Sequence, residues 1–218
     1  MKVSLIAVMT LCGRITPGTM GSREDRRFLE EMRAVTDAGL LGAGTVRNHD
    51  VEMRGPEGKL PARRIRALVS TSGNLPLEGR KIFRDGPRPL VFTSVAAAPA
   101  LIAAAGERAE IVALPAREGA LDLAAACEQL AARGVRSLLV EGGAGLNYRA
   151  LQQGVVDELL VTIAPKLSGD RHALSLLDGD RPLGSPFLDL ELLGFRQGDS
   201  GELFCRYRVA EKKKTGAE

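Results

Sequence analysis

Residues 137–145 read Ser-Leu-Leu-Val-Glu-Gly-Gly-Ala-Gly, an apolar run that ends in a carboxylate and a glycine-rich turn. The run predicts a short buried strand over 137–140, and the sequence after the glycines predicts a helix over 146–153. A similar segment at 39–44, Gly-Leu-Leu-Gly-Ala-Gly, predicts a strand that runs into a ligand-facing turn. Strand, glycine-rich turn and helix in this order are typical of parallel α/β sheets, whose ligands bind beyond the carboxyl ends of the strands.

Strands and helices alternate on the N-terminal side of this stretch. Ser22 is the predicted N-cap of the first helix, and Asp25 is placed to complete a capping box with it. The chain between 47 and 64 has several Gly and Pro residues and little periodicity, which predicts a loop. The other predicted strands cover 3–8, 65–70, 89–93 and 110–114, and the other predicted helices cover 95–105 and 121–133.

The alternation stops near the C-terminus. Strand-like segments cover 158–164, 190–196 and 203–209, and the last two are joined by a hairpin-type turn. We therefore predict one three-layer α/β/α domain over 1–210, whose mostly parallel central sheet ends in an antiparallel C-terminal hairpin. Residues 211–218 form a charged tail that we predict to be disordered.

Composition excludes several classes of function. The chain has 218 residues, 6 Phe, 2 Tyr, no Trp and a net charge of +3, which argues against a base-stacking surface for nucleic acid. Its 3 cysteines are scattered and only 2 histidines are present, which argues against disulfides and a zinc site. The apolar N-terminal run is too short to span a bilayer, so we expect a cytoplasmic protein without membrane contact.

Four ordered segments carry a resemblance to a known family. They are MTLCGRIT at 9–16, SREDRRFLEEMRAVTDAGLLGAGTV at 22–46, VEGGAGL at 140–146 and VDELLVTIAPKLSG at 156–169. Together they resemble the reductase domain of the bifunctional riboflavin-biosynthesis deaminase/reductase. The H-x-E and P-C-x-x-C zinc motifs of the deaminase are absent from the sequence, so the resemblance is to the reductase alone.

The resemblance implies a dihydrofolate-reductase-like fold, NADPH as cofactor and a homodimer. It also implies a phosphorylated pyrimidine substrate, as in 5-amino-6-(5-phosphoribosylamino)uracil reductase, with hydride transfer to the sugar C1 carbon. Two alternatives stay open because two loops depart from the family pattern. They are an NADPH-dependent reductase of another heterocycle, such as a pterin, and a non-catalytic nucleotide-binding relative.

The cofactor residues are expected at three strand ends. The resemblance places the glycine-rich segments around the cofactor, and the hydroxyls that follow the strand over 65–70 are candidates for its 2′-phosphate. A polar turn is the alternative for those hydroxyls, and Thr93 and Ser94 offer a similar pair. The expected cofactor-binding residues are Gly42, Gly44, Thr45, Ser70, Thr71, Ser72, Gly142, Gly143, Gly145 and Leu146.

The substrate residues are expected on the other side of the crevice. Glu141 and Asp50 are the candidate catalytic carboxylates, although Glu141 is also suited to cap the next helix. The proton donor stays open between these two side chains and a bound water. Cys12, Arg54 and Lys166 are the candidate substrate contacts.

The departures fall on this substrate side. Residues 10–13 read Thr-Leu-Cys-Gly where the family has S-x-D-G, and 47–54 read Arg-Asn-His-Asp-Val-Glu-Met-Arg where it has an Asp-rich loop. The sequence therefore predicts the cofactor more firmly than the substrate.

Overall fold

The computed structural model describes residues 1–15, 21–117 and 119–210. The strands are β1 (Lys2–Thr10), β2 (Ala38–Gly42), β3 (Ile65–Ser70), β4 (Leu90–Ser94), β5 (Glu110–Leu114), β6 (Ala116–Arg117), β7 (Ala120–Leu121), β8 (Ser137–Val140), β9 (Glu158–Ala164), β10 (Leu190–Gln197) and β11 (Leu203–Val209). The α-helices are α1 (Arg23–Val35), α2 (Ala43–Asn48), α3 (Lys81–Arg84), α4 (Ala98–Ala105), α5 (Leu123–Ala131) and α6 (Ala144–Gln152), and 3-10 turns cover Pro56–Gly58 and Gly106–Arg108.

Nine of these strands form one sheet, in the order β10-β11-β9-β1-β8-β2-β3-β4-β5. Every neighbouring pair from β9 to β5 is parallel, whereas β11 is antiparallel to both β9 and β10. The predicted fold class is therefore confirmed. β8 comes late in the sequence, yet it lies between β1 and β2 in the sheet. The carboxyl end of β8 is therefore a topological switch point of the sheet, and open α/β sheets bind their ligands at such points.

Apolar residues on both faces of the strands hold the three layers together. Leu5 and Leu138 pack into a core with α5 and α6, whereas their neighbours Ile6 and Leu139 pack against α1 on the opposite face. The same alternation divides β4, where Val91 faces α2, α3 and α4. Successive side chains of a strand point to opposite faces, so these continuous apolar runs cover the sheet with helices on both sides.

The start of α1 departs from the expected capping box. Ser22 is the N-cap, as predicted, and its side chain accepts from the backbone N–H groups of Glu24 and Asp25. The Ser22 N–H donates to Glu202 at 2.9 Å rather than to Asp25, and the Ser22 hydroxyl also donates to Glu202. The reciprocal bond thus comes from the turn between β10 and β11, which fixes the C-terminal hairpin to the first turn of α1.

Several predicted boundaries were wrong. The strand that we placed over 39–44 ends at Gly42, and a helix rather than a turn follows it, so the predicted loop over 47–64 begins inside α2. The helix predicted from residue 95 begins at Ala98, because the Ser94 hydroxyl accepts from the Ala97 N–H and holds a turn there. The sequence also gave no signal for the single turn α3 or for the small β6–β7 hairpin.

No helix in the described ranges is long and apolar enough to cross a membrane. The tail that we predicted to be disordered, 211–218, lies outside the described residues, and so do 16–20 of the predicted first loop.

Candidate active site

A cavity of about 810 Å³ lies along the carboxyl edge of the sheet, around the switch point at β8. This volume is in the upper part of the range of small-molecule sites. All ten predicted cofactor residues line the cavity, together with Ala7 and Val8 of β1 and Ile15 of the following loop. The structure therefore brings together the three strand ends that the sequence analysis selected.

Two helices begin at this cavity, and neither has a side chain that caps its N-terminus. The N-cap of α2 is Gly42 and that of α6 is Gly143, and neither position has a side chain that caps the helix. The Gly42 N–H donates to the Gly142 carbonyl at 2.8 Å, which joins the two turns. Free N–H groups at a helix N-terminus attract anions, so this pair of turns is suited to phosphate groups.

The glycines at these turns allow a close approach between the two backbone segments. A Cβ atom at Gly143 would lie 3.2 Å from the Thr45 hydroxyl, and one at Gly42 would lie 3.4 Å from Cβ of Leu146. Gly142 has φ +91°, a backbone conformation that other residues rarely adopt. Glycine at these positions therefore lets the two turns pack closely against each other and against Thr45 and Leu146.

Two buried polar atoms around the cavity have no hydrogen-bond partner among the described residues. They are the Ser70 hydroxyl and Asn147 Oδ1, and both residues line the cavity. The Asn147 amide nitrogen donates to the Leu176 carbonyl, which fixes the orientation of the amide. Buried polar atoms are usually hydrogen-bonded, so these two support a polar ligand at this site. The hydroxyls, the bare N-termini and the glycine turns together fit a phosphorylated cofactor.

Glu141 heads the second turn, and its side chain is bound by two arginines. Arg33 of α1 donates to Oε2 through Nε at 2.9 Å and Nη2 at 2.6 Å, and Arg64 donates to Oε1 at 2.9 Å. The exposed fraction of these three side chains is 9%, 2% and 3% for Arg33, Arg64 and Glu141. We call this group the arginine–glutamate clamp. It joins α1, the start of β3 and the glycine turn after β8.

The clamp changes how Glu141 is interpreted. We expected a functional carboxylate that faces the crevice, and the residue does border the cavity. Both of its carboxylate oxygens, however, accept hydrogen bonds from arginine. With both oxygens already occupied as acceptors, these contacts do not support a role as proton donor. They indicate a residue that positions the turn.

Asp50 and Arg54 do not line the cavity; the structure places both in local ion pairs. Asp50 accepts from the Lys81 backbone N–H at 2.9 Å and lies 3.8 Å from the Lys81 ammonium group. Arg54 donates to both oxygens of Glu52 and to the Gly58 carbonyl. Their assignment to catalysis and to substrate binding stays a prediction. The cavity-lining residues nearest to them in sequence are Arg47, Asn48 and His49.

Cys12 and Lys166 lie on the loops that follow β1 and β9. The Leu11 N–H donates to the Lys166 carbonyl, which holds the two loops together. Neither side chain lines the cavity, but the first loop reaches it through Ile15. The Thr10 hydroxyl lies 3.2 Å from the Cys12 sulfur, and with the Ser168 N–H it lowers the pKa of this thiol to about 7. Their roles in substrate binding stay predictions.

Cys12 is expected to be the most reactive cysteine at neutral pH. It is exposed, and about half of it is thiolate near pH 7, whereas burial raises the pKa of Cys127 to about 11. Labelling with iodoacetamide should modify Cys12 first, and its rate should rise with pH through about 7. Mass spectrometry of the labelled peptides measures this order. Replacing Thr10 with Val should move the rise to higher pH, and an unchanged profile would contradict the assigned cause.

The sequence did not allow several residues of the site to be predicted. Arg33 and Arg64 looked like ordinary charged residues, one in an amphipathic helix and one in a loop, and Asn147 looked like a polar helix residue. A weak signal existed for Arg64, because it directly precedes a buried strand. The contacts that give these residues their roles join distant parts of the chain.

Known sequences match most of this chain. The family model described as the RibD C-terminal domain matches residues 1–204. A 2,5-diamino-6-ribosylamino-4(3H)-pyrimidinone 5′-phosphate reductase from Methanothermobacter thermautotrophicus is 34% identical over 187 residues, which cover 82% of this chain and 84% of that protein. The protein of the same name from Archaeoglobus fulgidus is 32% identical over 167 residues, which cover 72% of this chain and 74% of the relative.

Solved structures share the fold. A pyrimidine reductase-like protein from Corynebacterium diphtheriae superposes with a TM-score of 0.79 at 24% identity, covering 97% of this chain and 92% of that one. The riboflavin biosynthesis reductase of Saccharomyces cerevisiae gives a TM-score of 0.73 at 20% identity, covering 96% and 90% of the two chains.

Proposed function

This chain belongs to the RibD C-terminal domain family, and from that premise we propose that it is an NADPH-dependent reductase of a phosphorylated ribosylamino-pyrimidine in riboflavin biosynthesis. The observation that carries the proposal is the cavity at the switch point, which two glycine-capped helix N-termini border. NADPH supplies a hydride when it is bound. The chain itself supplies binding, alignment and the exclusion of water.

The N-termini of α2 and α6 would hold the cofactor phosphates. Residues at both N-termini line the cavity, and the Thr45 hydroxyl lies close to Gly143. Ser70 ends β3, Thr71 and Ser72 follow it at the same edge, and all three are suited to the 2′-phosphate that distinguishes NADPH from NADH. The Ser70 hydroxyl, which has no partner among the described residues, supports this assignment.

Two pyrimidines are candidates for the substrate. The archaeal relatives are named for the 2,5-diamino-pyrimidinone. The bifunctional deaminase/reductase of Thermotoga maritima, whose structure shares this fold, is named for the 5-amino-uracil. The relatives from Methanothermobacter thermautotrophicus, Archaeoglobus fulgidus and Aquifex aeolicus all carry the diamino name, at 28% to 34% identity. We therefore propose the diamino compound as the substrate, with the uracil compound as the alternative.

One assay tests the cofactor and the substrate together. Purified protein is titrated with NADPH and with NADH, and consumption of the reduced cofactor is then followed by absorbance with each pyrimidine phosphate. We expect tighter binding of NADPH and oxidation with the diamino compound. No binding of either nucleotide would refute the proposed function. Faster oxidation with the uracil compound would replace the substrate assignment alone.

Gly145 allows the phosphate site to be tested without damage to the fold. It is exposed in the first turn of α6, and a Cβ atom there would meet nothing within 4 Å. Gly145→Asp should leave the unfolding midpoint unchanged or raise it, because a carboxylate favours a helix N-terminus. The same charge should repel a phosphate, so we expect about 10-fold to 100-fold weaker NADPH binding, roughly 1–3 kcal/mol.

Gly145→Ala is the matched control for this charge. It should bind NADPH as the parent protein does, and fluorescence titration of the three proteins compares the affinities. If the Asp variant binds NADPH with parental affinity, the phosphates do not lie at the N-terminus of α6.

Dimerisation is proposed through the β10 edge of the sheet. β10 is the last strand of the sheet, and its residues are exposed along nearly the whole strand. It nevertheless carries large apolar side chains, since Leu192 is 51% exposed and Phe195 is 68% exposed. An exposed apolar edge strand tends to pair with another chain, and a second copy of this protein is the partner that the family resemblance implies.

Lysine substitutions on β10 should weaken the proposed dimer. Phe195→Lys with Leu192→Lys is expected to weaken the dimer by about 2 kcal/mol or more, roughly 30-fold in Kd. Light scattering at several concentrations measures the shift to monomer. Ile102→Lys is the control, because Ile102 is 55% exposed on α4, away from this edge. A parent protein that is already monomeric, or a double variant that stays dimeric, would contradict the assignment.

A further inference from the structure

Two arginines line the cavity, Arg47 near the end of α2 and Arg149 on α6. Neither forms an ion pair with a carboxylate within the described ranges. The carboxylates of the lining, Glu141 and Asp178, belong to the turn after β8 and to the loop that contacts α6. The described lining residues of α2 and of the loop after β3 include no acidic side chain. An anion on that side of the cavity would therefore meet a cation without a neighbouring carboxylate.

Arg47 reaches from α2 to the loop after β3. Its Nη1 donates to the Asn74 carbonyl at 2.9 Å, and a Cβ atom at Gly44 would lie 3.9 Å from its Nη2. The Arg47 carbonyl accepts from Arg80, which holds the backbone at this point. The guanidinium group is thus held beside the loop, while its Nε and Nη2 donate to no acceptor in the described part of the chain.

Hydroxyl groups lie on the same loop. The Asn74 N–H donates to the Ser72 hydroxyl oxygen at 3.4 Å, so Asn74 contacts both Ser72 and Arg47. Ser70 is 3% exposed, and its hydroxyl borders the cavity without a partner among the described residues. A buried polar atom without a partner supports a polar ligand group at this position. The cation and the hydroxyls therefore form one set of donors at the cavity wall.

A phosphate monoester fits this set of donors. It carries a charge of about −1.5 to −2 at pH 7 and has three acceptor oxygens. A guanidinium group offers planar N–H donors to such oxygens, and hydroxyls complete the remaining contacts. NADPH and NADH differ by one phosphate monoester, the 2′-phosphate on the adenosine ribose, and a nearby arginine is suited to accommodate it. Contacts to this group alone can therefore distinguish the two nucleotides.

Arg149 has different surroundings. It is half-buried, its Nη1 donates to Gln152 at 2.8 Å, and its guanidinium carbon lies 5.4 Å from the centre of the Tyr148 ring. It lies one turn after Gly145 on the same face of α6. The N-terminus of α6 is the proposed site of the phosphates that NADPH and NADH share. Arg149 is therefore the natural comparison for Arg47.

We propose that Arg47 determines the preference for NADPH over NADH, because its guanidinium group binds the 2′-phosphate together with the hydroxyls of Ser70 and Ser72. The inference rests on the proposed function. It adds a cation to the hydroxyls already assigned to this phosphate. Arg47 is a cofactor-binding residue and takes no part in the transfer of the hydride.

The first test replaces Arg47 with Gln. NADPH affinity should fall about 10-fold to 100-fold, because hydrogen bonds to a charged group are lost. NADH affinity should keep its parental value, which also shows that the variant is folded. Arg47→Lys should keep part of the preference, because lysine retains the charge but lacks the planar donors. Fluorescence titration measures the affinities. An Arg47→Gln variant with the parental ratio of the two affinities would overturn the proposal, as would a parent protein that binds both nucleotides equally.

Two other arginines supply the controls. Arg149→Gln should lower the affinity for NADPH and for NADH by the same factor, because the two nucleotides share the phosphates near α6. Arg133→Gln should change neither affinity, since Arg133 follows α5 and pairs with Glu110 outside the cavity lining. Loss of the preference in Arg149→Gln instead would overturn the proposal. A higher KM for the pyrimidine phosphate in Arg47→Gln, with an unchanged nucleotide preference, would place the substrate phosphate at Arg47 and overturn it as well.

A pair of nucleotide fragments tests the contact without any substrate. 2′,5′-ADP and AMP differ only in the 2′-phosphate, and competition with bound NADPH measures their affinities. We expect 2′,5′-ADP to bind more tightly than AMP to the parent protein, and this advantage should largely disappear in Arg47→Gln. An advantage of parental size in the variant would overturn the proposal. A parent protein that binds neither NADPH nor NADH would instead refute the proposed function, so the two failures are distinguishable.

Discussion

Glu141→Gln is expected to destabilise the protein by about 3–5 kcal/mol, because removing one partner of a buried ion pair leaves charge uncompensated. Three hydrogen bonds from Arg33 and Arg64 converge on the two oxygens of Glu141, and all three side chains are buried. Glutamine keeps one acceptor oxygen but removes the negative charge. Urea unfolding should show a lower midpoint with an unchanged slope.

A surface ion pair is the control for this change. Glu110→Gln breaks a pair with Arg133 whose two side chains are 50% and 30% exposed. Exposed pairs contribute about 0–1 kcal/mol, so Glu110→Gln should lie close to the parent protein. Adding Arg64→Met to Glu141→Gln should recover part of the loss, because it removes one of the unpaired charges. Equal midpoints for Glu141→Gln and Glu110→Gln would contradict a buried clamp.

Gly39→Ala is expected to destabilise the protein by about 2–3 kcal/mol through overpacking of the same clamp. A Cβ atom at Gly39 would lie 2.5 Å from Nη2 of Arg64 and 2.6 Å from Oε1 of Glu141, and it would also overlap the end of Met53. These neighbours are buried on all sides, so none can move away freely. Thermal unfolding measures the effect, and weaker NADPH binding should accompany it because the clamp carries the glycine turn.

Gly145→Ala separates crowding from the general effect of removing a glycine. The site is open, and alanine in a helix is about 0.5–1 kcal/mol more favourable than glycine, so this variant should be as stable as the parent or more so. A Gly39→Ala variant of parental stability would mean that the clamp has room for a methyl group, and would contradict the packing described.

The cofactor side of the site follows largely from local sequence. Gly142 needs a positive φ, Gly143 and Gly42 precede helices, and Ser70 ends an apolar strand. Each of these features depends on a few neighbouring residues, and in a parallel sheet all the strands end at one edge. Because of this, ten residues chosen from three separate segments line a single cavity.

The surroundings of the predicted catalytic residues did not follow from the sequence. Glu141 and Asp50 were predicted as catalytic residues because a carboxylate near a strand end faces a crevice. That position does not reveal which other side chains contact the carboxylate. The arginines that bind Glu141 are 108 and 77 residues away, and the Ser22 partner of Glu202 is 180 residues away. Periodicity cannot predict a partner at such separations.

By itself the sequence determined the three-layer sheet, its antiparallel end and the glycine turns, because periodicity, helix capping and backbone conformation act over a few residues. Only the tertiary structure decided which charged side chains contact each other. The cost of burying a carboxyl group depends on every element packed around it, and the order of strands β9, β1, β8 and β2 sets those elements. That order places Glu141 between two arginines.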